Sequence, residues 1–365
     1  MNKCTLIIDG NWLLQSRSWP VIEQFNSNYS EEILNKSREN LTDILAQSIN
    51  KTYNIFKDVV DNILIVRDGG SWRKTIEKPK SYQTDYKGNR EADDNYDWKT
   101  IYGALDDLVL NAKEYNITCS VGKNIEGDDW IWYWTDKLNN EGVNTIIWST
   151  DADLKQLIKF NSNCWTCWYN DKKLVYPEIQ VLNELDSFME MVNPNEFLLN
   201  KLKQIIKDSE SVYYGDIIMS KIICGDSGDN IMPLLQCRKN NKNIGISQKE
   251  WSSIKSHLNI TTLEEFFDKQ YLIITNAIHL KRFSSYEFDL DELRNRFKYN
   301  TQLVYLSKDS YPDNIYNIMT ESKEDYKVFD VEIFKNNYKI LSTSKIFEEK
   351  ELFEGVDLEG IEINF

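Results

Sequence analysis

The stretch "TLIIDG", residues 5–10, shows the pattern that decides the fold of this chain. An apolar run that stops at an aspartate and a glycine is typical of a buried strand that ends in a turn. Four further apolar runs follow, at residues 62–66, 117–121, 144–150 and 163–169. Helix-like segments lie between most of them, and strands that alternate with helices indicate an α/β fold with a mainly parallel central sheet.

The predicted helices divide the chain into two parts. In the first part we predict helices at residues 30–58, 98–115 and 128–138, and a short one at 151–160. After about residue 171 the strand pattern fades, and helices are predicted at 188–208, 216–224, 247–258, 262–277 and 289–297. We therefore expect an α/β core over residues 1–210, a helical region over 211–345 and an acidic tail over 346–365.

Composition argues against several classes of protein. The 365 residues carry a formal net charge of −15, which disfavours nucleic-acid binding by the whole surface. No apolar run reaches the length of a membrane span, about 20 residues, and we expect an intracellular protein without a signal peptide. The six cysteines and two histidines are too sparse for a disulfide scaffold or a zinc site. We expect reduced thiols, including those of Cys164 and Cys167.

Positive charge is nonetheless concentrated in two basic islands. Residues 71–90 hold six lysines and arginines against two acidic residues, and residues 236–256 hold five against one. Aromatic residues interleave with the first island, and cations beside stacking surfaces are typical of sites that bind single-stranded nucleic acid. A solvated basic loop would give the same pattern, so the first island alone leaves both interpretations open.

Acidic side chains follow each of the first four predicted strands, and one further pair comes from the helical region. Because the carboxyl ends of parallel strands meet at one edge of a sheet, we expect these side chains to converge there. The set comprises Asp9, Asp68, Glu126, Asp128, Asp129, Asp151, Asp153, Asp226 and Asp229. Any one of them could simply cap a helix, but all of them crowded together would repel one another unless cations were present.

The chemistry of this acidic set points to divalent cations. Carboxylate oxygens are the ligands that Mg²⁺ and Mn²⁺ prefer, whereas zinc favours nitrogen and sulfur. Two such ions side by side promote hydrolysis of a phosphodiester bond without a histidine, serine or cysteine nucleophile. We therefore predict a nuclease that uses two Mg²⁺ ions, for which Mn²⁺ would substitute.

Six short motifs occur in an order that identifies a family. They are "DGN" (9–11), "WRK" (72–74), "YKGNR" (86–90), "IEGDD" (125–129), "STDAD" (149–153) and "CGDSGDNI" (224–231). Over roughly residues 4–235 the chain resembles the PIN-like 5′ nucleases, or flap endonucleases, of phages, which include the T-odd 5′ exonucleases and the T-even ribonuclease H. The resemblance implies an Mg²⁺-dependent 5′→3′ exonuclease and structure-specific flap endonuclease. Such an enzyme would act on DNA and RNA primers at 5′ ends or flaps during phage DNA replication.

The resemblance also implies a role for each candidate residue. A first metal site would be lined by Asp9, Asp68, Glu126, Asp128 and Asp129. A second would be lined by Asp151, Asp153, Asp226 and Asp229. Lys87 and Arg90 would hold the scissile phosphate within a DNA arch at about residues 71–97. The expected DNA contacts are Arg73, Lys74, Tyr86 (stacked on a terminal base), Arg238, Lys239 and Lys242.

Two departures from the family pattern affect these assignments. The usual "EADD" of the family is matched best at residues 91–94, but "EGDD" at 126–129 follows a predicted strand and precedes a predicted helix. We therefore assign the metal ligands to the second copy and expect residues 91–94 to be solvated arch. The glycine-rich loop that follows "DNI" in cellular members is largely missing after Ile231, which leaves a potassium site there open.

The expected partners are branched or 5′-ended duplex DNA and RNA–DNA hybrid, bound by a monomer in the cytoplasm of the infected host cell without membrane contact. The acidic tail is either a frayed terminus or a docking peptide for a sliding clamp or single-strand-binding protein. A PIN-type single-strand ribonuclease and a non-catalytic structure-specific DNA-binding protein are the alternatives. A phosphatase of the haloacid-dehalogenase type is disfavoured because "DGN" (9–11) lacks the second acid that such enzymes need.

Overall fold

The computed structural model describes residues 4–57, 59–90, 93–114, 117–161, 164–172, 174–175, 215–239 and 242–321. The predicted helix at residues 188–208 and the predicted acidic tail at 346–365 lie outside these residues. Within them, the predicted α/β architecture is confirmed.

A central sheet of seven strands, five of them mutually parallel, organises the first part of the chain. The strands are β1 (Cys4–Asp9), β2 (Asn62–Val66), β3 (Thr118–Ser120), β4 (Asn144–Trp148), β5 (Lys159–Asn161), β6 (Cys164–Tyr169) and β7 (Leu174–Val175). The parallel order is β3-β2-β1-β4-β6, and β5 and β7 pair antiparallel with β6. Strands β2 and β3 thus lie on one side of β1, and β4 and β6 lie on the other. This reversal of strand order creates a crevice at the carboxyl end of β1.

Helices flank the sheet and form the second part of the chain. They are α1 (Gly10–Ser18), α2 (Glu31–Phe56), α3 (Trp98–Glu114), α4 (Gly127–Asn140), α5 (Gly215–Cys224), α6 (Gln248–His257), α7 (Leu263–Asp268), α8 (Gln270–Ile278), α9 (Leu290–Val304) and α10 (Asp313–Glu321). Short 3₁₀ helices cover Trp19–Phe25, Trp72–Lys74, Ala152–Leu157 and Lys308–Ser310. Among the described helices, none is long and apolar enough to cross a membrane.

The structure corrects several predicted boundaries. The predicted helix at 262–277 is two helices, α7 and α8, that meet at Lys269. The predicted helix at 151–160 is a 3₁₀ helix followed by strand β5. Helices α1 and α10 were not expected. A hairpin of β8 (Gln236–Lys239) and β9 (Lys242–Gly245) lies in the region expected to be helical.

The register of the parallel strands brings their carboxyl ends to one level. Asp9 is paired with Val66, Val66 with Ser120, and Ile8 with Trp148. The residues that follow these positions therefore leave the sheet along a common edge. This carboxyl edge is where the sequence pattern predicts the acidic residues to converge.

Both faces of the sheet are covered, because successive residues of a strand point to opposite sides. Leu6 and Ile8 of β1 pack in one apolar cluster with residues of α1, α2 and α3. Ile7 packs in another cluster, with residues of α4 and α10. The sheet thus forms the middle layer of the α/β core.

The segment at residues 75–90 leaves the sheet and packs onto the helical region. Tyr82 and Tyr86 are 5% exposed and belong to the same apolar cluster as residues of α5, α6 and α9. The Tyr82 hydroxyl accepts a hydrogen bond from the backbone N–H of Met232 at 2.8 Å. The part of the expected arch up to Tyr86 is therefore anchored to the helical region.

A buried asparagine joins three parts of the helical region. Asn300 of α9 is fully buried, and its side-chain amide donates hydrogen bonds to the carbonyls of Ile222 and Met232 at 2.8 and 2.9 Å. Ile222 lies near the end of α5, and Met232 lies in the loop after it. The amide thereby fixes the loop that carries "CGDSGDNI" against α9.

We predict that Asn300→Ala lowers the free energy of unfolding by about 2 kcal/mol, because two buried carbonyls lose their donor. Urea denaturation of the metal-free protein measures this loss. The matched control is Asn314→Ala, at an exposed position of α10, which should change stability by less than about 0.5 kcal/mol. Equal stabilities of the two variants would contradict the bridging role of Asn300.

Candidate active site

The first acidic residue of the carboxyl edge sits between two secondary structure elements. Asp9 ends β1 and caps α1, where its Oδ1 accepts a hydrogen bond from the backbone N–H of Trp12 at 3.0 Å. Its Oδ2 accepts another from the Ser149 hydroxyl at 2.8 Å. Burial, with contributions from Asp68 and Asp151, raises the pKa of Asp9 to about 7. The sheet therefore holds a carboxylate that is costly to ionise without a nearby cation.

Asp68 joins the edge from the loop after β2. Its Oδ1 accepts a hydrogen bond from the backbone N–H of Gly127, the first residue of α4. Its own N–H donates to Asn11 of α1 at 3.0 Å. Burial raises the pKa of Asp68 more than the hydrogen bond from Gly127 lowers it, and Glu126 raises it further. A β-carbon at position 127 would lie 3.0 Å from this carboxylate, so the glycine permits the close approach.

Asp128, on the first turn of α4, completes a group of four carboxylates on the edge. Burial and the charges of Asp151 and Asp9 raise its pKa well above the ordinary value. Asp151 itself caps the 3₁₀ helix after β4 and accepts a hydrogen bond from the N–H of Asp153. Asp9 thus interacts electrostatically with Asp68, Asp128 and Asp151, and Asp128 also interacts with Asp151.

Glu126 and Asp129 belong to the same motif but face cations of the protein. The buried Arg73, 2% exposed, lies 2.7 Å from Glu126 Oε2 and 2.8 Å from Asp129 Oδ1. Asp129 Oδ2 accepts hydrogen bonds from the Trp72 indole and the Glu126 backbone N–H, both at 3.0 Å. The structure therefore places Asp129 in an internal ion pair, whereas the resemblance implies a metal-lining role for it.

Lys87 is a second cation on Glu126. Its Nζ lies 2.6 Å from Glu126 Oε1, and its backbone adopts a left-handed conformation with φ of 54°. Burial acts to raise the pKa of Glu126, but Arg73 and Lys87 outweigh it and lower this pKa to about 2. Burial acts to lower the pKa of Lys87, yet Glu126 and other nearby groups raise it. Both groups are charged at neutral pH.

A second acidic cluster combines Asp153 of the α/β core with Asp226 and Asp229 of the helical region. Carboxylate oxygens of Asp153, Asp226 and Asp229 lie within 4.8 Å of one another, close enough to share a metal ion. Lys221 of α5 lies 2.5 Å from Asp153 and 2.6 Å from Asp226. Burial raises the pKa of Asp153, and the attraction of Lys221 does not cancel that effect.

Arg90 connects the expected arch to this second cluster. Its guanidinium lies 2.5 Å from Asp229, and the backbone N–H of Lys87 donates to the carbonyl of Asp229 at 2.9 Å. Of the two residues that the resemblance assigns to the scissile phosphate, Lys87 therefore contacts Glu126 and Asp229, and Arg90 contacts Asp229. Asp93 and Asp94, of the "EADD" copy at 91–94, are exposed, and Glu91 lies outside the described residues.

The structure corrects two of the expected DNA contacts. Arg73 is buried between Glu126 and Asp129, and Tyr86 is buried against the helical region, so neither side chain is on the surface. Lys74 is exposed. For Arg238, Lys239 and Lys242 the structure describes only the backbone, which lies in the β8–β9 hairpin.

Sequence reasoning missed two residues of the site. Ser149 donates to Asp9, and Lys221 pairs with two aspartates of the second cluster. The signal for Lys221 was present, because it is the single basic residue of the otherwise largely apolar helix "GDIIMSKIIC". A lone cation on an apolar helix beside the "GDSGD" motif indicates a buried acidic partner.

The fold and its acidic edge define this chain as an α/β protein of the PIN-like type. Residues 4–186 match the family described as "5′-3′ exonuclease, N-terminal resolvase-like domain". The chain therefore belongs to the 5′-3′ exonuclease family.

Two known proteins are similar to this chain, one in sequence and one in fold. The 5′-3′ exonuclease of Buchnera aphidicola subsp. Schizaphis graminum is 29% identical over 231 residues, which are 63% of this chain. These residues span only 64% of the length of that relative. The structure of the T5 D15 protein, co-crystallised with metal ions, aligns over 93% of this chain and 99% of its own. The TM-score is 0.50 at 16% identity, a likeness that shows the fold.

The residues of the edge fit divalent cations. The donors are carboxylate oxygens alone, which suits hard cations such as Mg²⁺ and Mn²⁺. Burial raises the pKa values of Asp9, Asp68 and Asp128, and neighbouring carboxylates raise them further. A bound divalent cation would favour their ionised forms.

We predict that Arg73→Met destabilises the metal-free protein by about 3 kcal/mol or more, because two buried carboxylates lose their shared cation. The control is Arg90→Met, which removes an arginine that is 59% exposed and should cost less than about 1 kcal/mol. Urea unfolding in the presence of a chelator gives both values. If both variants lost the same free energy of unfolding, the buried ion pairs of Arg73 would contribute no more to stability than the exposed pair of Arg90.

Proposed function

We propose that this protein is an Mg²⁺-dependent 5′→3′ exonuclease and structure-specific flap endonuclease. The observation that carries the proposal is the convergence of carboxylates from successive α/β units and from the helical region on one edge. Membership of the 5′-3′ exonuclease family supports the same reaction. The proposed substrates are DNA and RNA primers with 5′ ends or flaps.

Two groups of residues would hold two divalent cations. The first comprises Asp9, Asp68 and Asp128, with Glu126 and Asp129 behind them. Asp151, which the resemblance implies for the second group, interacts electrostatically with members of both. The second comprises Asp153, Asp226 and Asp229. When bound, such ions activate a water molecule and stabilise the charge that develops on a phosphate. The carboxylates would hold the two ions in position. Mn²⁺ would substitute for Mg²⁺ because it accepts the same ligands.

Lys87 and Arg90 would bind the scissile phosphate and its neighbour. Lys87 pairs with Glu126 beside the first acidic group, and Arg90 pairs with Asp229 of the second. A phosphate that approached Lys87 would compete with Glu126 for its ammonium group. Because Arg73 also neutralises Glu126, Lys87 could turn to the phosphate without leaving Glu126 unpaired. The ammonium would then stabilise charge that develops in the transition state.

The proposed setting follows from the resemblance to phage 5′ nucleases. The protein would remove primers and process fragments during phage DNA replication, in the cytoplasm of the host cell. It would bind branched or 5′-ended duplex DNA and RNA–DNA hybrid as a monomer. The β8–β9 hairpin carries Arg238, Lys239 and Lys242 and would contact the duplex. A clamp or single-strand-binding protein would dock on the tail, which lies outside the described residues.

We predict that Asp128→Asn reduces Mg²⁺-dependent cleavage of a 5′-labelled flap substrate at least about 100-fold, since a ligand charge is lost at the reacting centre. Affinity for the substrate should change little. The matched control is Asp94→Asn, the same substitution in the exposed "EADD" copy, which should cleave at the wild-type rate. Equal cleavage by Asp128→Asn and the wild type would refute the assigned site and favour a non-catalytic DNA-binding role.

For Lys87→Ala we expect kcat to fall far more than the Kd for substrate rises, because its charge acts mainly on the transition state. Single-turnover kinetics and binding without metal separate these two quantities. Lys78→Ala, which removes a partly exposed lysine of the same segment, should leave both near the wild-type values. Weaker binding with intact turnover would make Lys87 a substrate-binding cation only.

A further inference from the structure

Four aromatic side chains form a group on the surface beside the base of the expected arch, with Trp98 at its centre. Trp98 is in contact with Trp19, Tyr96 and Tyr102, with ring centroids 6.5, 6.4 and 6.5 Å apart, respectively. Trp19 is 60% exposed, and the other three are partly exposed. We call Trp19, Tyr96, Trp98 and Tyr102 the aromatic ladder.

One end of the ladder reaches the carboxyl edge of the sheet. Tyr102 lies on α3 and hydrogen bonds to Gln15 of α1, the helix that Asp9 caps. Asp106, one turn further along α3, pairs with Arg67, the residue before Asp68, so this part of α3 lies beside the first acidic group. Through Trp98, the ladder therefore connects Tyr102, on a helix that borders the candidate active site, to the exposed Trp19.

Hydrogen bonds hold the ladder in place. The Tyr96 hydroxyl donates to Glu23 and the Trp98 indole donates to the carbonyl of Asp93, both at 2.9 Å. Tyr96 also forms a backbone bridge with Asn26, which ties the loop before α3 to the loop after the 3₁₀ helix Trp19–Phe25. Rings that are already ordered lose little entropy when a ligand stacks on them.

We propose that the aromatic ladder is a stacking platform for unpaired nucleotides at the 5′ end of the substrate. The inference rests on the proposed nuclease function, because the ladder is continuous with the acidic edge of that site. Aromatic rings stack on nucleic-acid bases independently of sequence. The carboxylate of Glu23, to which the Tyr96 hydroxyl donates, would repel phosphates, so the rings would contact the bases. The platform takes the place of Tyr86, which is buried.

A flap labelled with 2-aminopurine tests the platform without any need for cleavage. The fluorescence of this base falls when it stacks on an aromatic ring, and EDTA keeps the substrate intact. Wild-type protein should quench the label in the unpaired 5′ flap of a nicked duplex. Trp19→Ala and Trp98→Ala should each raise the Kd about tenfold and reduce the quenching. Trp98→Phe keeps a ring and should bind more tightly than Trp98→Ala.

The matched control is Tyr271→Ala on α8, which removes an aromatic ring that is 54% exposed and remote in sequence from the ladder. It should leave both the Kd and the quenching unchanged. Because Trp19 is largely exposed, its loss tests the platform without removing a core side chain. The ratio of the Kd of Trp19→Ala to the Kd of the wild type should increase as unpaired nucleotides are added to the flap.

Two results would overturn the platform. One is wild-type protein that binds the flap without quenching the label. The other is a wild-type Kd for both Trp19→Ala and Trp98→Ala, which would also be the outcome if the ladder served to dock a protein. Failure of the proposed function gives a different result, because wild-type protein with Mg²⁺ would then leave the flap uncut whatever the binding assay shows.

Discussion

Repulsion among carboxylates at the carboxyl edge of the sheet is the constraint to which the rest of the structure responds. Within the described residues, four cationic side chains form ion pairs that offset this repulsion, namely Arg73, Lys87, Arg90 and Lys221. Three of them come from one segment between the sheet and α3, and the fourth comes from α5. The charges of the site therefore help to hold that segment and the helical region against the α/β core.

The sheet could be predicted because its signal is local. Each parallel strand is buried on both faces and reads as a short apolar run that stops at a turn. The β8–β9 hairpin has no such run, since "QCRK" and "KNIG" are short and largely polar. Helix α1 was missed for a similar reason, because "GNWLLQSRS" lacks a clear apolar stripe. The break at Lys269 divides an apolar segment whose pattern gives no sign of an end.

The composition of the acidic site was also predictable, because the ends of β1, β2, β3 and β4 bring their acidic residues to the same edge. The direction in which each side chain points was not. Glu126 and Asp129 stand in the same motif as Asp128, yet they turn to Arg73, a partner more than fifty positions away in the chain. The burial of Tyr86 likewise depends on helices that follow it by well over a hundred residues. Such pairings depend on tertiary packing, which a local sequence pattern does not predict.

At the second acidic cluster, a metal ion would exchange with the ammonium group of Lys221. Its ammonium group already neutralises part of the charge on Asp153 and Asp226. A divalent cation that bound there would have to displace the Lys221 ammonium group. Its apparent binding free energy would therefore be reduced by the free energy of that lost ion pair. The flexible stem of the lysine keeps the expelled charge nearby, ready to return when the ion leaves. The protein would then tolerate the loss of its metal without leaving these aspartates uncompensated.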